Sequence, residues 1–313
     1  QLSNGEVLAE NINNPIEHYY FTFGHVKEKD AIMQDADLVF YVDYSKIKSL
    51  GVANGKVYNP VTIGLNALRA YQTFLKSGDE YQKEVFLANA NWLVENIDHE
   101  GAWILNQDVA IGKHLIKGPW VSALSQGLGI SVLTRSYQLT GDQKMLETAN
   151  LALEPFTKTI AKGGVATENE FGLWFEEYPL LGSPTHVFNG FMYSLFGLND
   201  LAIVGDSKLA EQLFETGILA LEKALPLYDA GSWTKYSLNQ ESNLKNHWNY
   251  CSPWYQKLHT SQLTALAELT QNSTLKSYSQ KFAHQRDKSW VNMIIYPAYI
   301  AYTDLVFVIR NLS

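Results

Sequence analysis

The sequence predicts a mainly α-helical fold, an incomplete α/α toroid of about four helical hairpins entered through a short β-hairpin or extended N-terminal arm. Two observations carry this. Lys76-Ser77-Gly78-Asp79, Leu139-Thr140-Gly141-Asp142 and Val204-Gly205-Asp206 each separate two apolar helical stretches, and Gln271-Asn272-Ser273 holds the equivalent place in a fourth unit. Counted from Gly78 to Gly141 to Gly205 to Asn272, the intervals are 63, 64 and 67 residues, the regular spacing of stacked supersecondary units. Ahead of Pro60, by contrast, aromatic and β-branched residues fall in short runs that read as strands or extended arms.

Those runs are His18-Tyr19-Tyr20-Phe21-Thr22-Phe23 and Leu38-Val39-Phe40-Tyr41-Val42, followed by an Asn54-Gly55 turn signal before Lys56-Val57-Tyr58. Residues 1–58 are too short to hold a core of their own and form an arm. From Pro60, a residue suited to the first helical turn, Val61, Leu65, Leu68, Phe74 and Leu75 fall on one helical face. The hairpins are expected at 60–76 with 81–97, 120–139 with 142–158, 186–203 with 207–225, and 257–270 with 273–286. Glycine ends one helix in a left-handed cap, and Asp or Ser caps the next. The toroid domain is thus 59–289. The remaining segment, 290–313, is strongly apolar but carries Asn292, Pro297, Thr303 and Asp304, so it is expected to pack back on the domain and not to span a membrane.

Antiparallel hairpins joined by tight turns at one end must carry their long connections at the other. Three such connections, 98–119, 159–185 and 226–256, then share a rim, and long loops of this kind usually carry function. The rim is rich in aromatics: Trp103 and Trp120 with His114 near the first, Trp174 in the second, and Tyr228, Trp233, Tyr236, His247, Trp248, Tyr250, Trp254 and Tyr255 in the third. Aromatic faces are platforms for sugar rings, and the rim suits an extended carbohydrate.

Bulk properties narrow the classes. With 313 residues, 46% hydrophobic and 18% charged, the chain is ordinary globular material, and a net charge of −8 argues against a nucleic-acid surface. One cysteine, Cys251, excludes an internal disulfide framework. The eight histidines lack paired ligand spacing, so no metal is expected. No nucleophile elbow, Walker loop or dinucleotide fingerprint is present, and Gln126-Gly127-Leu128-Gly129 reads as close helix packing.

The chemistry concentrates in Trp174-Phe175-Glu176-Glu177-Tyr178-Pro179. Glu176 and Glu177 are adjacent carboxylates whose repulsion can raise one pKa, but neighbours point apart, which leaves one for the cleft and one for a structural partner. Tyr178, Tyr236 and Tyr255 on the same rim complete a candidate proton-transfer set.

Several stretches in order resemble the D-glucuronyl carbon-5 epimerases of heparan sulfate and heparosan synthesis, over roughly residues 85–285. They are Gly118-Pro119-Trp120 with Ser125-Gln126-Gly127, the hexapeptide at 174–179, Phe188-Asn189-Gly190-Phe191-Met192-Tyr193-Ser194-Leu195, Leu225-Pro226-Leu227-Tyr228-Asp229-Ala230-Gly231-Ser232, and Trp254-Tyr255 with His259 and Gln262-Leu263. The resemblance implies that Glu177 and Tyr255 transfer protons, with Tyr178 and Tyr236 beside the reacting uronate. Trp120, Gln126, Trp174, Asn189, Trp254 and His259 are then expected to bind substrate.

The chain departs from the animal members in two places. It has no room for their β-sandwich between Phe74 and Val85, and Ser237-Leu238-Asn239 follows Tyr236 where they carry a basic residue. Both departures point to a compact bacterial-type member, envelope-associated or cytoplasmic. The implied partner is an acidic, glucuronate-containing polysaccharide, no cofactor is required, and a homodimer is left open. Three other readings stay open at this point: a uronate polysaccharide lyase, which shares the first proton abstraction, a glycoside hydrolase on the same scaffold, and a noncatalytic glycan-binding module.

Overall fold

The computed structural model describes residues 18–23, 31–46, 55–111, 114–239 and 249–287, together with the single positions 294 and 298. Helices dominate. The first hairpin is α1 (Pro60–Ser77) with α2 (Glu80–Glu95), and the second is α3 (Ala123–Thr140) with α4 (Gln143–Leu151) and the short α5 (Glu154–Thr157). The third is α6 (Phe188–Val204) with α7 (Lys208–Tyr228), and the fourth is α8 (Pro253–Thr270) with α9 (Ser273–Asp287). The first helices of the four hairpins pack in the order α1, α3, α6, α8, each also packed against its own partner.

Local chemistry sets these boundaries. Asn59 caps α1 by accepting Val61 N–H, and Asp79 and Asp142 cap α2 and α4 by accepting Tyr81 N–H and Lys144 N–H. Gly78 (φ 69°) and Gly141 (φ 73°) supply the expected left-handed caps. The third turn differs: Gly205 is right-handed at φ −96°, and the left-handed residue is Asp206 at φ 48°. In the fourth, Gln271 (φ 52°) takes that role and Asn272 accepts Thr274 N–H and Leu275 N–H.

Three expected spans shift. The helix expected at 142–158 breaks after Leu151 because Pro155 cannot donate to the ladder, so it reopens as α5. The helix α7 runs on through Pro226 to Tyr228. The helix α8 starts at Pro253 instead of 257, capped by Ser252 Oγ, which places Trp254 and Tyr255 in a helical first turn rather than in the loop.

Small antiparallel sheets decorate this frame. Strands β1 (Ile32–Gln34), β2 (Phe40–Asp43) and β3 (Lys56–Val57) form one sheet in that order, where the sequence suggested a hairpin. Strands β4 (Val109–Ile111) and β5 (His114–Ile116) lie in the first rim loop, and β6 (Ala166–Asn169) and β7 (Gly172–Phe175) in the second. The 18–23 run is not a sheet strand. It inserts Tyr19, Tyr20 and Phe21 into the main core against Phe196, and Tyr20 Oη donates to Asp200 (2.7 Å), which also holds buried Arg135 and Ser131.

The seam between α3 and α6 explains the glycine-rich stretch. A Cβ on Gly127 would meet Ser194 Cα at 2.5 Å, and one on Gly197 would meet Gly127 O at 2.2 Å, so the two backbones approach as the sequence reading expected. Apart from the single positions 294 and 298, the segment 290–313, with its expected packing onto the domain, lies outside the described residues, as do His247 and Trp248. Among the described residues no helix is long and apolar enough to cross a membrane, and no group of three or more His, Cys, Asp or Glu could hold a metal ion.

Candidate active site

The β6–β7 hairpin delivers the acidic pair. Its register pairs Ala166 with Phe175, and the strand end is then fixed from both sides: Glu176 N–H donates to Val165 O (2.7 Å), and Ala123 N–H at the start of α3 donates to Glu176 O (2.9 Å). This puts Glu177 at the N-terminal end of α3, with Gly141 at the other end of that 18-residue helix, so the second rim loop and the tight turns lie at opposite ends. A helix of this length separates them by about 27 Å.

The two glutamates have opposite surroundings. Glu176 is fully buried, and its carboxylate accepts from Thr167 Oγ1 (3.0 Å), Thr185 Oγ1 (3.1 Å) and His186 N–H (2.9 Å). His186 Nδ1 lies 2.6 Å from Glu176 Oε1, in ion-pair range but outside hydrogen-bond geometry. These contacts fix the Glu176 carboxylate in position. Glu177 is also buried, yet its Oε2 has no hydrogen-bond partner among the described residues. Burial pushes its carboxyl up to about 7, with the Glu176 charge acting in the same direction and a hydrogen bond from Tyr178 opposing. An underpartnered carboxylate near neutrality is a base able to take a proton at physiological pH.

The three phenols form a chain from it. Tyr178 interacts with both Glu177 and Tyr236, and Tyr236 in turn with Tyr255, their rings 4.8 Å apart and edge to face. Burial first, then the Glu177 charge, raises Tyr178 and Tyr236 well above the ordinary phenol value, so both stay protonated. The backbone holds Tyr236 through Tyr236 N–H to Asn249 O (2.8 Å) and Phe188 N–H to Tyr236 O (3.0 Å), which ties the third rim loop to the start of α6. A cavity of about 220 Å³ opens beside this set, bounded by Glu177, Tyr178, Trp120, Ser122, Tyr44 and Asn59. Tyr236 and Tyr255 are not on its wall.

The expected binding residues separate into two groups. Trp120 lines the cavity, its ring 5.9 Å from Tyr178 and its Nε1–H donating to Gln107 O. Trp254 is 47% exposed and meets Tyr255 edge to face. The others lie inside the protein. Trp174 is wholly buried and stacked on Phe191 at 3.6 Å, an aromatic of the core under the acidic pair. Gln126 accepts Trp103 N–H and donates to Gly101 O and Ala152 O, which clamps the first rim loop to α3. His259 sits under Tyr255, with Nδ1 3.1 Å from Thr234 Oγ1, and burial lowers it to about 3, so it is neutral. Asn189 is buried too, and its carbonyl accepts from Gln262 Nε2.

Other residues of the site were not singled out from the sequence, although Gly190 and Tyr193 lie in the 188–195 stretch that carries the resemblance. Gly190 is one: a Cβ there would meet Glu177 Oε2 at 2.3 Å, so the helix α6 makes room for the carboxylate. Thr167, Thr185 and His186 fix Glu176. Tyr193 of α6 is raised by burial and by Tyr255 and Glu177, while the charge of Arg69 on α1 lowers it, which brings a cation to the edge of the cluster.

The family model described as D-glucuronyl C5-epimerase C-terminus matches residues 96–284, which contain all four site residues. The D-glucuronyl C5-epimerase of Caenorhabditis elegans is 35% identical over 192 residues, covering 57% of this chain and 31% of that protein. The chain therefore spans about a third of the worm protein's length. An uncharacterized protein of Methanocaldococcus jannaschii is 27% identical over 283 residues, covering 88% of this chain and 83% of that one, a relative of matching size. With the matched region filling more than half of its length, the chain belongs to the D-glucuronyl C5-epimerase C-terminal family.

Proposed function

We propose that the chain is an isomerase that inverts carbon 5 of D-glucuronate to L-iduronate within a heparosan-like polysaccharide. In this reading residues 59–289 are the catalytic unit, and the four hairpins curve into an incomplete α/α toroid with the site on its long-loop rim. The observation that carries the reading is Glu177, a buried carboxylate held near neutrality beside a chain of protonated phenols and a small cavity.

The chemistry asks for little else. Glu177 takes the carbon-5 proton, which lies next to the uronate carboxylate, and the electron pair left behind moves into that carboxylate as an enediolate-like charge. Phenol hydroxyls directed at this charge from Tyr178 and Tyr236 stabilise it. Tyr255 then delivers a proton to the opposite face of carbon 5, inverting the centre, and no electrons leave the substrate. Glu176, saturated by Thr167, Thr185 and His186, keeps the loop in place and adds its field to the pKa of Glu177.

A lyase would begin with the same abstraction and then expel the group at carbon 4, and a hydrolase would cut the glycosidic bond with two carboxylates. Heparosan incubated with the protein in deuterated water separates the three. Deuterium at carbon 5 without chain cleavage supports the epimerase, ultraviolet-absorbing unsaturated uronate marks a lyase, and new reducing ends mark a hydrolase.

A further inference from the structure

One turnover of the reaction proposed for the Glu177 site leaves both proton carriers in the wrong state. Glu177 ends as a carboxylic acid and Tyr255 as a phenolate, and neither can begin the next turnover until a proton has gone back. Exchange with bulk water is hindered at Glu177, which is 6% exposed on the wall of the 220 Å³ cavity, where bound substrate covers it.

The phenols supply another path. Glu177 takes a hydrogen bond from Tyr178, Tyr178 is hydrogen-bonded to Tyr236, and Tyr236 to Tyr255, whose ring it meets at 4.8 Å and 65°. Each hydroxyl donates one hydrogen bond and accepts others, which is what a link in a proton chain must do. Burial keeps Tyr178 and Tyr236 protonated, so both links still hold a transferable proton when Tyr255 has lost its own. Position separates their duties. Tyr178 borders the cavity together with Glu177, whereas Tyr236 is off that wall and connects Tyr178 to Tyr255. Backbone hydrogen bonds to Asn249 and from Phe188 fix Tyr236 in this place.

We infer that Tyr178 and Tyr236 form an internal proton-return relay, which carries a proton from Glu177 back to Tyr255 after each inversion without passing through bulk water. The inference rests on the reading of Glu177 and Tyr255 as the two proton carriers. In the step, the Glu177 carboxyl O–H breaks as its proton joins the Tyr178 oxygen, the Tyr178 proton moves to the Tyr236 oxygen, and the Tyr236 proton moves to the Tyr255 phenolate. Three O–H bonds break and three form, no electron is transferred, and the products are the Glu177 carboxylate and the neutral Tyr255 phenol. A phenolate is a stronger base than a carboxylate, which gives the return its direction. The completed transfer leaves the Tyr178 hydroxyl turned toward Glu177, as its hydrogen bond to that carboxylate requires.

Excess substrate separates the first turnover from the later ones. Carbon-5 exchange by the unaltered chain should begin without a burst and should not respond to added imidazole, a small proton carrier. In Tyr236→Phe, which keeps the ring but cuts the relay, a burst of about one turnover per protein molecule should precede a steady rate about tenfold slower or more, and imidazole should restore that rate. Tyr178→Phe cuts the first link and should behave in the same way. A loss of charge stabilisation alone slows every turnover equally, so folded Tyr236→Phe or Tyr178→Phe protein with neither burst nor response to imidazole overturns the relay and keeps the epimerase reading. Absence of carbon-5 exchange in the unaltered chain removes that reading instead. The relay is then tested without substrate, by infrared titration of the Glu177 carboxyl, taken as the difference from Glu177→Gln. Tyr236→Phe should shift this titration upward, because Tyr178 is a weaker donor to Glu177 once it loses its own partner in the chain, and an unmoved titration overturns the relay.

Discussion

Replacing Glu177 by Gln should stabilise the fold at alkaline pH while removing the chemistry. The folded carboxyl holds its proton up to about 7, against an ordinary 4.5 in the unfolded chain. Between those values the folded state binds more protons, so stability from this group is full below about 4.5 and is lost as pH rises through about 7. The linkage amounts to about 2.5 kcal/mol between pH 5 and pH 8, at about 1.36 kcal/mol per pKa unit. The Gln side chain is neutral throughout. Its unpaired amide hydrogens cost about 1–3 kcal/mol, but equally at both pH values, so the cost cancels in the comparison. For 313 residues the unfolding entropy is about 0.66 kcal/mol/K, from about 2.1 cal/mol/K per residue. The variant should therefore gain about 4 °C in Tm relative to the unaltered protein on going from pH 5 to pH 8. Paired denaturation curves at the two pH values measure this, with carbon-5 exchange measured alongside. A variant-to-parent difference that is the same at both pH values would refute the raised pKa, and near-parental exchange by folded Glu177→Gln would remove Glu177 from the mechanism.

Three further outcomes follow from the same geometry. Tyr255→Phe, which keeps ring contacts with Tyr236 but loses the transferable proton, should lower exchange by about 10²–10⁴-fold with polymer affinity retained, as single-turnover and binding measurements would show. Glu176→Gln should act on the fold first, lowering stability by about 3 kcal/mol as the Thr167, Thr185 and His186 contacts lose a charged acceptor; an unchanged melting temperature would contradict its anchoring role. Gly190→Ala places a methyl 2.3 Å from Glu177 Oε2 and 2.8 Å from Glu177 Cβ, so it should cut kcat by about 10²-fold and also lower stability by about 1–3 kcal/mol, whereas unimpaired turnover would show that the carboxylate need not sit there.

The pattern at 63-to-67-residue spacing was enough to place all four hairpins, because helix period and Gly-Asp punctuation are relations among near neighbours in the chain. The same locality explains the misplacements. Pro155 splitting a helix and Ser252 starting α8 early are local too, but they shift boundaries by a few residues, and Tyr255 changed from loop to helix by that margin. The hexapeptide identified the acidic pair and the alternation of neighbours said that one glutamate would be structural. The resemblance implied Glu177 as the proton carrier, but the surroundings that distinguish the two carboxylates exist only in three dimensions, where Thr167, Thr185 and His186 surround Glu176 while Gly190 leaves Glu177 room and its Oε2 has no hydrogen-bond partner among the described residues. Trp174, Gln126 and His259 show the opposite case: each has the residue type of a sugar contact, yet each is enclosed by elements far away in sequence. Burial and the pKa values that follow from it are sums over such distant neighbours. The sequence alone thus determined which elements form and which residue types meet at the rim, while the tertiary structure decided which of those side chains keep a proton, a partner or a path to the cavity.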